Sequence, residues 1–124
     1  MTTTAETQRS YVLEASAREL ADHRAELRST LDRRRRDAET ASTSATDGHG
    51  ETEHLAIAEQ LDNDARLDAM TRAALADVEA ALRRVELGTY GICVECGEQI
   101  PEERLELLPA TPMCIRCQTR VEQA

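Results

Sequence analysis

The sequence predicts a mainly α fold: a long antiparallel helical hairpin, a coiled coil, followed by a small C-terminal module built around four cysteines. Three observations predict it. Residues 6–41 and 52–87 contain neither glycine nor proline and are rich in Ala, Glu, Arg and Leu, which are good helix formers. Both stretches carry a narrow apolar seam at alternating steps of three and four, the pattern two packed helices share. All four cysteines lie in the last third of the chain as two CxxC pairs.

In the first helix Leu13, Leu20 and Leu27 recur every seven residues, with Ala17, Arg24 and Leu31 four positions after each. A break follows at residues 42–52, where serine, threonine and two glycines, Gly48 and Gly50, mark a turn. The second helix carries its seam at Leu75, Val78, Leu82 and Val85, and Gly88 is placed to end it as a left-handed cap. Residues 1–88 therefore form the hairpin, with its tip at about 42–52, and residues 89–124 form the cysteine module. At about 1.5 Å per residue each helix reaches about 50 Å. Pairing positions whose numbers sum to about 95 sets Leu13 by Leu82, Leu20 by Leu75, and Arg33, Arg34 and Arg36 near Glu59 and Asp62. Asp64 and Asp68 fall on or close to the seam, so the hairpin should be less stable toward its tip.

Composition narrows the function classes. The chain has 124 residues with no Phe or Trp and two Tyr, which suits thin helical packing more than a thick core. Its net charge is −9, and every basic residue is arginine. Phosphate contacts need clustered positive charge, so direct sequence-specific DNA binding is not expected. Residues 1–45 are neutral, with eight arginines against eight acids. Residues 46–90 hold ten acids against four arginines, an excess suited to a basic protein groove or a metal ion. The Thr-rich start has no apolar run and no stretch is long enough for a membrane span, so a cytoplasmic protein is expected.

Cys93 and Cys96 form one pair, Cys114 and Cys117 the other, with seventeen residues between them. A tight turn holding two thiolates supplies two corners of a tetrahedron, and a second pair completes it. Zinc is the default metal for four such ligands, with a rubredoxin-like iron as the alternative. Such a site has no open position and would be structural. Gly97 follows the first pair and would accept a left-handed backbone; Gln118 stands at the matching place after the second. Pro101 can open a short helical turn with Glu102 and Glu103 at its positive end. Leu105, Leu107, Leu108 and Met113 are candidates to cover the metal, and Arg104, Arg116 and Arg120 to offset its thiolate charge. No nucleophile–base pair accompanies the cysteines, so no enzyme is expected.

In the order Tyr90-Gly91, Cys93, Cys96-Gly97, Ile100, Arg104-Leu105, Pro109, Cys114, Cys117, the C-terminal segment resembles the DksA/TraR family of bacterial RNA polymerase-binding regulators with a four-cysteine zinc finger. The approach Leu82 to Thr89 fits the same pattern. The resemblance implies one structural zinc ion and a protein that binds bacterial RNA polymerase. Its coiled coil would enter the secondary channel toward the active site, with the zinc end at the channel rim, and initiation would be modulated. The best-studied members carry Asp-x-x-Asp-x-Ala at the tip. Here residues 47–54 lack that motif, and Asp47, Glu51 and Glu53 are the carboxylates placed to substitute. Members that respond to guanosine tetraphosphate use basic residues near the finger; Leu108 and Gln118 stand there instead, which argues against alarmone coupling. Two other functions fit the same residues: a transcript-cleavage-type factor whose tip carboxylates help hold a second magnesium, and a zinc-braced adaptor for another protein partner.

Overall fold

The computed structural model describes residues 4–44 and 51–123, which form four helices: α1 (Thr4–Ser44), α2 (Glu51–Leu87), α3 (Glu102–Leu107) and α4 (Ile115–Gln123). Both long helices run further than their expected limits, by two or three residues for α1 and one for α2. Propensity weakens at these ends but nothing there forbids helix. Asp47 lies outside the described residues. Antiparallel pairing of α1 and α2 and the C-terminal cysteine cluster establish the predicted fold class.

The chain divides into two compact units, Met1–Arg24 with Ala76–Ala124 and Ala25–Leu75. In the first, Val12, Leu20, Val78, Ala81, Tyr90, Ile100 and Leu105 are buried together with Cys93 and Cys117. The core is therefore shared among α1, α2 and the cysteine module, as a segment of this length needs, since a finger alone buries too little to fold. Ser16 is the one buried polar residue among those described, at 3% exposure. The predicted seam is visible as burial: Leu13, Ala17, Leu82 and Val85 are half-buried and Val78 is buried.

In the second unit Leu27, Leu31, Arg34, Asp68, Thr71 and Leu75 are half-buried at the same spacing, yet no described residue is fully buried. Leu55, Leu61 and Met70 stay exposed at 67%, 64% and 65%. The expected register is corrected here. Arg34 Nη1 donates to Asp68 Oδ1 at 3.2 Å and to Thr71 Oγ1 at 3.0 Å, not to Glu59 or Asp62. The numbers of Arg34 and Asp68 sum to 102, one heptad beyond the expected pairing. A slip of seven residues keeps both seams facing each other, so apolar periodicity alone does not distinguish the two registers. Asp62 instead pairs with Arg66 within α2 at 2.7 Å. No described helix is long and apolar enough to cross a membrane.

Candidate metal centre

The first cysteine pair sits on a tight reversal of the chain. An antiparallel bridge joins Ile92 to Gln99, and the Cys93 N–H donates to the Glu98 carbonyl at 2.8 Å. The Gly97 N–H closes the turn onto the Cys93 carbonyl at 3.0 Å, with Gly97 at φ +73°, as its place after Cys96 predicted. The second pair is built differently. Cys117 lies in the first turn of α4, and the Gln118 N–H donates to the Cys114 carbonyl at 2.9 Å. No described non-glycine residue has positive φ. Gln118 therefore fits because the helix itself supplies the second turn, with no left-handed residue required.

These two turns bring the four sulfurs within 4.8 Å of one another, with Cys96 Sγ and Cys114 Sγ 3.9 Å apart. A tetrahedron with zinc–sulfur bonds of about 2.3 Å has sulfur–sulfur edges of about 3.8 Å, so the cluster fits one structural zinc ion. Cys93 and Cys117 are buried, Cys114 is half-buried and Cys96 is exposed. Four sulfur donors leave no position for substrate, and the ion's contribution is to folding.

The surroundings favour thiolate at Cys93 and Cys114. Donation from the Cys96 backbone N–H holds the Cys93 thiol down at about 6, and the Cys117 N–H lowers Cys114 in the same way. Burial, reinforced by the neighbouring sulfurs, pushes Cys117 up to about 12, so this buried sulfur gives up its proton reluctantly without a metal. Arg120 Nη2 approaches Cys117 Sγ at 3.7 Å. Arg116 is raised first by its hydrogen bond to Cys96, and its guanidinium also meets Glu98 at 3.4 Å. Arg104, expected beside them, is held on a carbonyl instead: its Nε donates to Met113 O at 3.0 Å. Of the four residues expected to cover the metal, Leu105 is buried and Met113 half-buried, but Leu107 and Leu108 are 81% and 51% exposed. The six-residue α3 ends at Leu107, too short to turn all three leucines inward.

The segment before Cys114 is fixed through its carbonyls. The Tyr90 hydroxyl donates to Pro109 O at 2.7 Å, Arg84 Nη2 to Ala110 O at 3.4 Å, the Val94 N–H to Pro112 O at 3.0 Å, and Arg104 Nε to Met113 O. Tyr90 is 7% exposed, and its hydroxyl also meets the Ser16 side chain. Burial raises the Tyr90 pKa, with Ser16 and Arg84 acting in the opposite direction. Arg9 completes the brace, donating to the carbonyls of Ile100 at 3.0 Å and Gly91 at 2.9 Å. Sequence reasoning missed Arg9, Ser16 and Arg84 in this role. Their signal was present, because Arg9 and Ser16 precede Leu13 and Leu20 by four residues and so share the inward stripe of α1.

Glu53, one of the expected tip carboxylates, is exposed on the first turns of α2, and Glu51 begins that helix.

Residues 88–123 match the prokaryotic DksA/TraR C4-type zinc finger family. An uncharacterized protein of Aquifex aeolicus is 45% identical over 65 residues, covering 52% of this chain and 43% of that protein. The RNA polymerase-binding transcription factor DksA of Caulobacter vibrioides is 44% identical over 52 residues, covering 42% of this chain and 37% of its own length. The matched stretch thus spans less than half of either relative. Among solved structures, the transcription factor DksA2 of Pseudomonas aeruginosa superposes with a TM-score of 0.78 at 26% identity, over 91% of this chain and 84% of that one. The DnaK suppressor protein of Agrobacterium tumefaciens gives 0.56 at 30% identity, over 86% and 91%. With its finger matched in sequence and its hairpin matched in fold, the chain belongs to the DksA/TraR family of C4 zinc-finger proteins.

Proposed function

We propose that this protein is a cytoplasmic, non-enzymatic regulator of bacterial RNA polymerase. In this proposal the hairpin of residues 1–88 enters the polymerase secondary channel and its tip points toward the active site, modulating initiation. Residues 89–124, with one zinc ion held by Cys93, Cys96, Cys114 and Cys117, remain at the channel rim. The observation that carries the proposal is likeness over most of the chain to a DksA-type transcription factor, at a TM-score of 0.78. Relatives of the finger are named RNA polymerase-binding transcription factors. Charge supports it as well, because the ten acids of residues 46–90 suit an entrance lined with basic groups.

Asp47, Glu51 and Glu53 are the tip residues proposed to act near the active site. Replacing all three by Ala tests the assignment. Polymerase binding is expected to persist while the effect on promoter activity disappears. Loss of stimulated RNA cleavage would point to the transcript-cleavage reading, and no change in either assay would point to an adaptor for another protein.

A further inference from the structure

A cleft of about 370 Å³ lies in the first unit, between the N-terminal part of α1 and the short helix α3. Tyr11, Val12, Ala15, Ser16 and Glu19 line it from α1, and Glu106 lines it from α3. Its chemistry is uneven in a telling way. Val12 and Ser16 form a buried floor, and the Ser16 side chain is already committed to the Tyr90 hydroxyl. The Tyr11 ring stands 68% exposed. The two carboxylates come from different elements, and neither has an ion pair or hydrogen bond to another described side chain. Arg104, the basic residue of α3, is engaged with the Met113 carbonyl and Thr111. Glu102 and Glu103 add further negative charge on that helix.

An aromatic face, a buried floor whose one polar side chain is already partnered, and two unpaired carboxylates make a receptor for one kind of group. A guanidinium can stack on the tyrosine ring while its fork of N–H donors engages carboxylates, and its methylene stem can lie along Val12 and Ala15. We propose that this cleft receives an arginine side chain presented by the protein surface on which the chain docks. A second copy of this chain is the less suitable source, because copies that each carry a charge of −9 repel one another. If the docking surface is RNA polymerase, the arginine belongs to it; the identity of the partner rests on the proposed function, whereas the chemistry of the cleft does not.

The test uses the full-length, zinc-loaded chain. Its backbone amide resonances are followed while N-acetylarginine amide is added, with N-acetylglutamine amide as the uncharged control. The arginine probe is expected to shift the amides of Tyr11, Ala15, Glu19 and Glu106, and the glutamine probe to leave them in place. The double variant Glu19→Gln with Glu106→Gln, both exposed positions, should keep its helix signal and zinc content and lose the response. Absence of localised shifts, or shifts that survive in the double variant, would overturn the proposal. In the polymerase arm, the same variant should bind core enzyme roughly five- to tenfold more weakly at low salt, the size expected for two partly exposed ion pairs. Unchanged affinity in a chain that does bind polymerase would overturn polymerase as the source of the arginine while the probe result stands. A dimer of the wild type that dissociates on Glu19→Gln and Glu106→Gln would identify a second copy as the occupant and refute a foreign partner.

Discussion

At Gly91 the metal module packs directly against Leu13 and Arg9 of α1, and replacing it by alanine gives a sharp test of that packing. It has φ +86°, a region that costs an L-residue roughly 1–2 kcal/mol. A Cβ there would lie 2.9 Å from Leu13 Cδ2 and 3.1 Å from Arg9 Nη2, with Leu105 Cδ1 at 3.5 Å. Neither close neighbour yields freely. Leu13 belongs to the apolar seam, and Arg9 Nη2 is already donating to the Gly91 carbonyl itself. Overpacking of this kind adds about 1–3 kcal/mol, so Gly91→Ala should destabilise by about 2–5 kcal/mol in all. The control is Gly88→Ala, where φ is +77° but nothing lies within 4 Å of the added Cβ. Conformational strain alone then predicts a loss of roughly 1–2 kcal/mol. Urea unfolding followed by circular dichroism, at a fixed free zinc concentration, measures both, since bound metal shifts apparent stability. If Gly91→Ala costs no more than Gly88→Ala, the close packing of the finger on Leu13 and Arg9 is refuted.

Three further outcomes are expected. Cys114→Ser should release the zinc and unfold residues 89–124 while leaving most of the helical signal; unchanged metal content would contradict a four-sulfur structural site. Backbone donation holds Cys93 down at about 6 and lowers Cys114 as well, so in the folded module both thiolates are present above the unfolded value and lost only as pH falls through the folded one. Zinc binding displaces thiol protons, so metal content should hold at neutral pH and fall as the solution is acidified below about 6; zinc content independent of pH would contradict thiolate ligation. A double-mutant cycle on Arg34→Ala and Asp68→Ala should give a coupling of about 0.5–1 kcal/mol, because the side chains are 32% and 35% exposed. A coupling indistinguishable from zero would remove this pair as a register pin.

The fold was legible because its signals are local and periodic. Leu13, Leu20 and Leu27 mark one face of α1 without any knowledge of its partner, and Gly88 and Gly97 occupy left-handed positions that few other residues accept. The cysteine site was legible because two CxxC turns with a closing glycine leave few other arrangements. The helix register was not legible, since a heptad slip exchanges equivalent leucines and only the side chain of Arg34 selects Asp68. The brace of the cysteine module escaped for a different reason. Its contacts end on backbone carbonyls, which carry no sequence signature, and they link positions as distant as Arg9 and Ile100. Arg104 illustrates the consequence: the run of charge predicted a partner for sulfur, while the geometry assigns it to a carbonyl.

Binding of the zinc-loaded protein to bacterial RNA polymerase core, in competition with a known secondary-channel ligand, decides whether the chain acts through that channel. Saturable binding at micromolar concentration or below is expected, abolished by the competitor and weakened by zinc removal. Binding that persists beside the competitor, or none at micromolar protein, would contradict a regulator acting through that channel.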